Sequence, residues 1–253
     1  MDFNKPFLEL NDLWAAVQFN CIYRWEHFRM LQLYLTGSDT NWRSQSTAQH
    51  VVGLHELAYR AIDVAKFPLD GILVVRAISK HDRGEPGSKN GDVNFKTKNA
   101  TDDCNELAAF DREIADQPEE SKNADRKAFL LQFVTSGMYW HLFTDDDQHV
   151  LESLRDNRWR EAHLLRFLEH VDYVHYVLDN WLRTNVPYPL TWGLRTALDY
   201  IPAFAADLPD IAPTLWPAAM QRFAEQWVSE HADVPEEDDV FNEIQRLNSV
   251  TEG

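Results

Sequence analysis

The sequence predicts an all-α fold, a single helical bundle, and three observations carry that expectation. Apolar residues recur at three-and-four spacing through most of the chain. No run of alternating apolar and polar residues is long enough to read as a half-buried strand. Gly, Pro and Asn gather in a few short clusters between the periodic stretches, where loops belong.

Taken in order, residues 1–19 read as an N-terminal extension, 20–205 as the main domain and 206–253 as a C-terminal helical extension with an acidic tail. The polar insert TGSDTNWRSQS at 36–46 reads as a loop ending at a helix N-cap. Over 46–62 the residues Val51, Leu54, Leu57, Ala58 and Ala61 share one helical face. Over 69–81 Leu73, Val74, Ala77 and Ile78 do the same. The cluster GEPGSKNGD then breaks the pattern with loop chemistry. Helices follow over 102–114 and 124–140, and a longer one over 161–182, whose stripe includes Leu164, Leu165, Leu168, Val171, Val174, Leu178 and Trp181. The tail after Val234 reads as frayed or peripheral.

Composition narrows the function classes. A chain of 253 residues can bury a core without staples, and nine Trp argue against a disordered chain. The formal net charge of −17 disfavours long nucleic acid, because the mean field repels a polyanion. A small phosphorylated ligand is still permitted, since a bound divalent ion and a few local cations reverse the sign inside a pocket. Cys21 and Cys104 fit neither a metal knuckle nor a disulfide framework, which suits a reducing cytoplasm. No basic segment followed by an apolar run opens the chain, and no apolar stretch reaches the length of a membrane span, so neither a signal peptide nor a membrane partner is expected.

Polar residues on apolar stripes locate the candidate chemistry. His50 precedes Leu54 by four residues and Leu57 by seven, inside the stripe of its own helix. His81 follows Ala77 by four and Val74 by seven, with Asp82 next to it. Asp172 follows Leu168 by four and Leu165 by seven. A carboxylate on a buried face is costly unless it is paired or metal-bound. Two imidazoles and two carboxylates suit a divalent ion. Each residue taken singly reads more simply as a core position satisfied by a local hydrogen bond, and it is the adjacent His-Asp pair with a His on an apolar stripe upstream that turns the balance.

The residues His50 in STAQH, His81-Asp82 in SKHDRGEPGSKNGD and Asp172 in LEHVDYVHYVLDNW resemble the H…HD…D signature of the HD-domain phosphohydrolases. The closer resemblance is to the branch of bacterial 5′-deoxynucleotidases and phage dATP triphosphohydrolases. It rests on Arg24-Trp25, residues 46–50, His81-Asp82 with Glu85, Gly91-Asp92 and Asp172, in that order. Gln49 stands where that branch has Glu before the first His.

The resemblance implies one divalent ion (Mn, Co, Zn, Fe or Mg) on His50, His81, Asp82 and Asp172, and Glu85 orienting water or shuttling its proton. It further implies that Arg24 binds phosphate, that Trp25 faces sugar or base, and that Asp92 receives the ribose 3′-hydroxyl. The expected substrate is a small nucleotide, most simply a deoxynucleoside monophosphate. Release of triphosphate from a deoxynucleoside triphosphate, or a regulatory binding module on the same fold, stays open. Homodimers are common in that family, so the resemblance implies a homodimer or a higher homo-oligomer. Lys89 could reach a phosphate but reads more simply as an exposed loop lysine. His55 lies about 140° around the helix from His50 and faces elsewhere. His175, one turn from Asp172, could touch the site. Asp145-Asp146-Asp147 reads as an acidic solvated turn rather than a calcium loop.

Overall fold

Side-chain caps and apolar stripes set the helices of the computed structural model, which describes residues 23–24, 43, 45–84, 99–236 and 239–240. Eight helices run through these residues, so the all-α expectation holds. They are α1 (Thr47–Val64), α2 (Gly71–Lys80), α3 (Ala100–Glu113), α4 (Glu119–Leu130), α5 (Asp145–Thr184), α6 (Pro187–Ala205), α7 (Ala212–Leu215) and α8 (Ala218–Glu230). Among the described residues none is long and apolar enough to cross a membrane.

One short ladder accompanies them. β1 (Tyr23–Arg24) pairs antiparallel with β2 (Gln45–Ser46), Tyr23 opposite Ser46 and Arg24 opposite Gln45. Ser46 then caps α1, as the sequence anticipated. Its hydroxyl accepts from the Gln49 amide at 3.2 Å, and the Gln49 side chain accepts from the Ser46 amide at 2.9 Å. Gln49 thus closes a capping box with its amide oxygen, a role that needs no charge.

The stripes of α1 and α2 bury as expected: Leu54, Ala58, Ala61, Val74, Ala77 and Ile78 are sealed in the core, where the two helices pack on each other and on α5, and α2 also on α4. Phe110 of α3 stacks on Phe129 of α4 at 4.4 Å between ring centroids, extending the same core. α5 is broken at Arg158, whose φ of −138° and ψ of 24° are not helical. It ends at Asn185, left-handed at φ 55°, with Pro187 opening α6. α5 and α6 pack closely because Gly193 lacks a Cβ, which would lie 2.6 Å from Val177 Cγ2.

Three expectations need correction. The helix over 124–140 does not run through. α4 stops at Leu130, and short 3₁₀ helices at Leu131–Phe133 and Gly137–Leu142 follow. The carbonyls that would continue it are claimed by side chains: Arg166 Nη2 donates to Gln132 O at 2.9 Å and Trp140 Nε1 to Phe133 O at 2.9 Å. Nor are all three Asp145–Asp147 carboxylates solvated. They form the first turn of α5, and Asp147 is buried, bonded to Arg126 Nη2 at 2.8 Å and to the Thr144 hydroxyl at 2.6 Å. The chain just after α8 is docked rather than frayed. Trp192 Nε1 donates to Pro235 O at 2.7 Å, Arg195 Nη1 to Glu236 Oε1 at 2.9 Å, and Val234 and Val240 join the core. The rest of the acidic tail, and the 1–19 extension, lie outside the described residues.

Candidate metal centre

Three elements deliver the polar residues that the stripes singled out. His50 sits in the first turn of α1, His81 is the C-cap of α2 with Asp82 following it, and Asp172 is in the second half of α5. They are 4%, 3%, 6% and 5% exposed, so their charges and dipoles must be satisfied inside the protein.

His81 is fixed first. Its amide donates to Ala77 O at 2.8 Å, and its Nδ1 meets Ile78 O at 2.9 Å. A carbonyl only accepts, so Nδ1 donates, and Nε2 is turned towards Asp82 and His50. His50 is fixed in the same way from the other side: its Nδ1 lies 2.7 Å from Asp172 Oδ2, which turns Nε2 towards His81 and Asp82. The two Nε2 atoms are 3.4 Å apart, Asp82 Oδ1 is 3.1 Å from His81 Nε2, and Asp82 Oδ2 is 3.8 Å from His50 Nε2.

Two ligands of one ion are separated by at most about twice a metal–ligand bond of ~2.1 Å, hence about 4.2 Å. All of these separations fall below that limit. His50, His81 and Asp82 thus form a buried group whose ligand atoms could share one ion, and the donor set, imidazole and carboxylate, fits a divalent ion.

Asp172 occupies a different position from these three. Oδ2 is shared between His50 Nδ1 and Gln45 Nε2, which donates at 3.2 Å. Oδ1 lies over Gly53 of α1, where an added Cβ would stand 2.4 Å away. The carboxylate therefore backs the ring nitrogen of His50 that faces away from the cluster. Such carboxylate–histidine pairs fix tautomer and ring orientation at metal sites.

Four residues of this neighbourhood escaped the sequence reading. Glu169, one turn before Asp172, brings Oε1 to 3.8 Å from His81 Nε2. Burial alone would raise its carboxyl, but Arg166, bonded to Oε2 at 2.6 Å, holds it below the usual carboxylate range. The same pairing raises Arg166 against the effect of burial. Gln132 Nε2 donates to His81 O at 3.0 Å. Gly84 lets the turn after Asp82 rest on α3, since a Cβ there would lie 2.3 Å from Glu106 O. The signal for Glu169 was its spacing of three from Asp172, which puts both on one helical face. Gln132 and Gly84 carried no such signal.

The remaining expectations divide. His55 contacts Val51 O and Ser79 Oγ at 2.7 and 3.1 Å, away from the cluster. His175 is exposed. Cys104 is half-buried against Leu142 O. The Arg24 backbone is described, opposite Gln45 in the ladder. Trp25, Glu85, Lys89 and Asp92 lie outside the described residues. No family model matches the chain, and no curated protein or solved structure matches it.

Proposed function

We propose that this chain is a metal-dependent phosphohydrolase that releases the 5′-phosphate of a deoxynucleoside monophosphate. The observation that carries the reading is the convergence of His50 Nε2, His81 Nε2 and Asp82 in a buried group, with both Nδ1 atoms already committed. A divalent ion at such a group polarises a phosphoryl oxygen and lowers the pKa of water. His50, His81 and Asp82 would hold it, and Asp172 would keep the His50 ring in the productive tautomer.

The other roles follow from the resemblance of the motifs. Arg24 would pair its planar fork with the phosphate, and the register of the ladder supports this, because Gln45 opposite it reaches Asp172. Trp25 would cover the sugar or base, Glu85 would move the proton of the attacking water, and Asp92 would accept the 3′-hydroxyl. A net charge of −17 accords with a single small phosphate ligand rather than a long polyanion.

Phosphate release from the deoxynucleoside monophosphates, assayed with Mn, Co, Zn or Mg and then with excess chelator, tests the reading. Chelator-sensitive release of inorganic phosphate is the expected result. Release of triphosphate from deoxynucleoside triphosphates would move the chain to the alternative hydrolase. No release from either class with any of the metals would overturn the proposal.

A further inference from the structure

Asn180, near the end of α5, is wholly buried, a costly place for a side-chain amide unless it is hydrogen-bonded. Its bonds go mainly to one residue. Oδ1 accepts from the Arg43 amide at 2.9 Å, and Nδ2 donates back to Arg43 O at 3.1 Å. Nδ2 also donates to Tyr176 O at 3.2 Å, one turn earlier on α5. Only one orientation of the amide allows this, since a backbone N–H only donates and a backbone carbonyl only accepts.

Arg43 is itself exposed, so water would satisfy its backbone about as well. What the clamp adds is position. Asp172 and Asn180 stand eight residues apart on one face of α5. Asp172 takes the Gln45 side chain at 3.2 Å, and Asn180 takes the backbone two residues earlier. α5 thus holds the chain at two points just before Ser46 caps α1, the helix of His50. The same stretch enters β2, where Arg24 stands opposite Gln45. A ladder of two residues per strand is too weak to fix its own place, so the place of β1 is taken from the strand that α5 holds.

Resting on the function proposed above, we infer that Asn180 is a positioning residue: by clamping the Arg43 backbone it sets the place of β2, and with it the distance between Arg24 and the group of His50, His81 and Asp82. One face of α5 then serves both halves of the site. Asp172 orients His50, and Asn180 places the strand pair that carries the residue assigned to the phosphate. Small misplacements of a substrate-gripping group are expensive in rate. A grip on the phosphate acts in the ground state as well as in the transition state, so its loss falls on KM more than on kcat.

The test uses the full chain loaded with Mn²⁺ and a deoxynucleoside monophosphate. Asn180→Ala should raise KM by on the order of 10–100-fold, with a smaller fall in kcat. A merely structural loss would instead reduce the amount of active protein, and so the apparent kcat, at unchanged KM. In an Arg24→Ala background the same substitution should change KM by less than about twofold, because its effect passes through Arg24. Asn180→Ser, which keeps one hydrogen-bonding group beside the Arg43 backbone, should give an intermediate KM and carries the comparison if the alanine variant does not fold. In the wild type the Arg43 amide should be protected from hydrogen exchange although the residue is exposed. An unchanged KM in a folded, active variant, a KM effect of full size in the Arg24→Ala background, or an unprotected Arg43 amide overturns the inference and leaves the proposed function standing. A wild type that hydrolyses no nucleotide overturns the proposed function, and this role with it.

Discussion

Asp172 Oδ2 and His50 Nδ1 lie 2.7 Å apart, joining the second half of α5 to the first turn of α1. This contact decides which nitrogen of His50 is presented to the cluster. His81 reaches the same state through a backbone carbonyl of its own helix, Ile78 O. One histidine is therefore oriented by tertiary structure and the other locally.

That asymmetry gives the first prediction. Asp172→Asn keeps an acceptor for Nδ1 but loses the charge, so Mn²⁺ affinity should drop by about 10–100-fold without loss of the fold. His81→Ala removes a donor of the cluster itself and should abolish stoichiometric binding. Calorimetric titration with Mn²⁺ checks both, and equal affinity in Asp172→Asn and wild type would remove Asp172 from the centre.

Gly53 tests the same contact sterically. A methyl group there would stand 2.4 Å from Asp172 Oδ1, a distance that requires the carboxylate to move. Gly53→Ala should gain helix propensity locally yet lose about 1–3 kcal/mol through overpacking. Mn²⁺ affinity should fall with it. Urea unfolding together with the titration would show the pattern, and a stabilised variant with unchanged affinity would contradict it.

Gly84 makes a harder demand, because its neighbour is backbone. An added Cβ would lie 2.3 Å from Glu106 O of α3, and neither side can rotate away. Gly84→Ala should cost about 1–3 kcal/mol and shift the turn that carries Asp82. Loss of stability and of metal affinity together is the expected outcome.

Asp210 gives a pH dependence remote from the metal centre. Burial alone would raise its carboxyl, but the Lys66 amide, Arg160 and the Phe67 amide hold it at about 2, against an ordinary 3.8. Arg160 Nη2 lies 2.6 and 2.8 Å from its two oxygens. The folded value is the lower one, so the stabilisation is full above the ordinary value and is lost as pH falls towards 2. It amounts to about 2 kcal/mol. Asp210→Asn should therefore differ from wild type by that amount near neutrality. The gap should narrow from about pH 4 to about pH 2. Unfolding free energies of both proteins across this range measure it, and a constant gap would refute the assignment.

The sequence alone determined the helical class and three residues of the centre. Helical spacing states which face of each helix is buried, and His50, His81 and Asp82 were legible as polar groups on or beside such faces. The Ser46 cap was legible because capping is local. Periodicity says nothing about which atoms of facing elements meet. It marked Asp172 as inward-facing, and only the packing of α5 on α1 set it against His50 Nδ1. The end of α4 was likewise hidden, because the donors that claim the carbonyls of Gln132 and Phe133 are side chains of Arg166 and Trp140. Glu169 escaped for the same reason: its direction comes from Arg166, and its nearness to His81 from α2 and α5 packing together. Burial propensity is written residue by residue, whereas the identity of a buried partner is fixed only when separate elements close on one another.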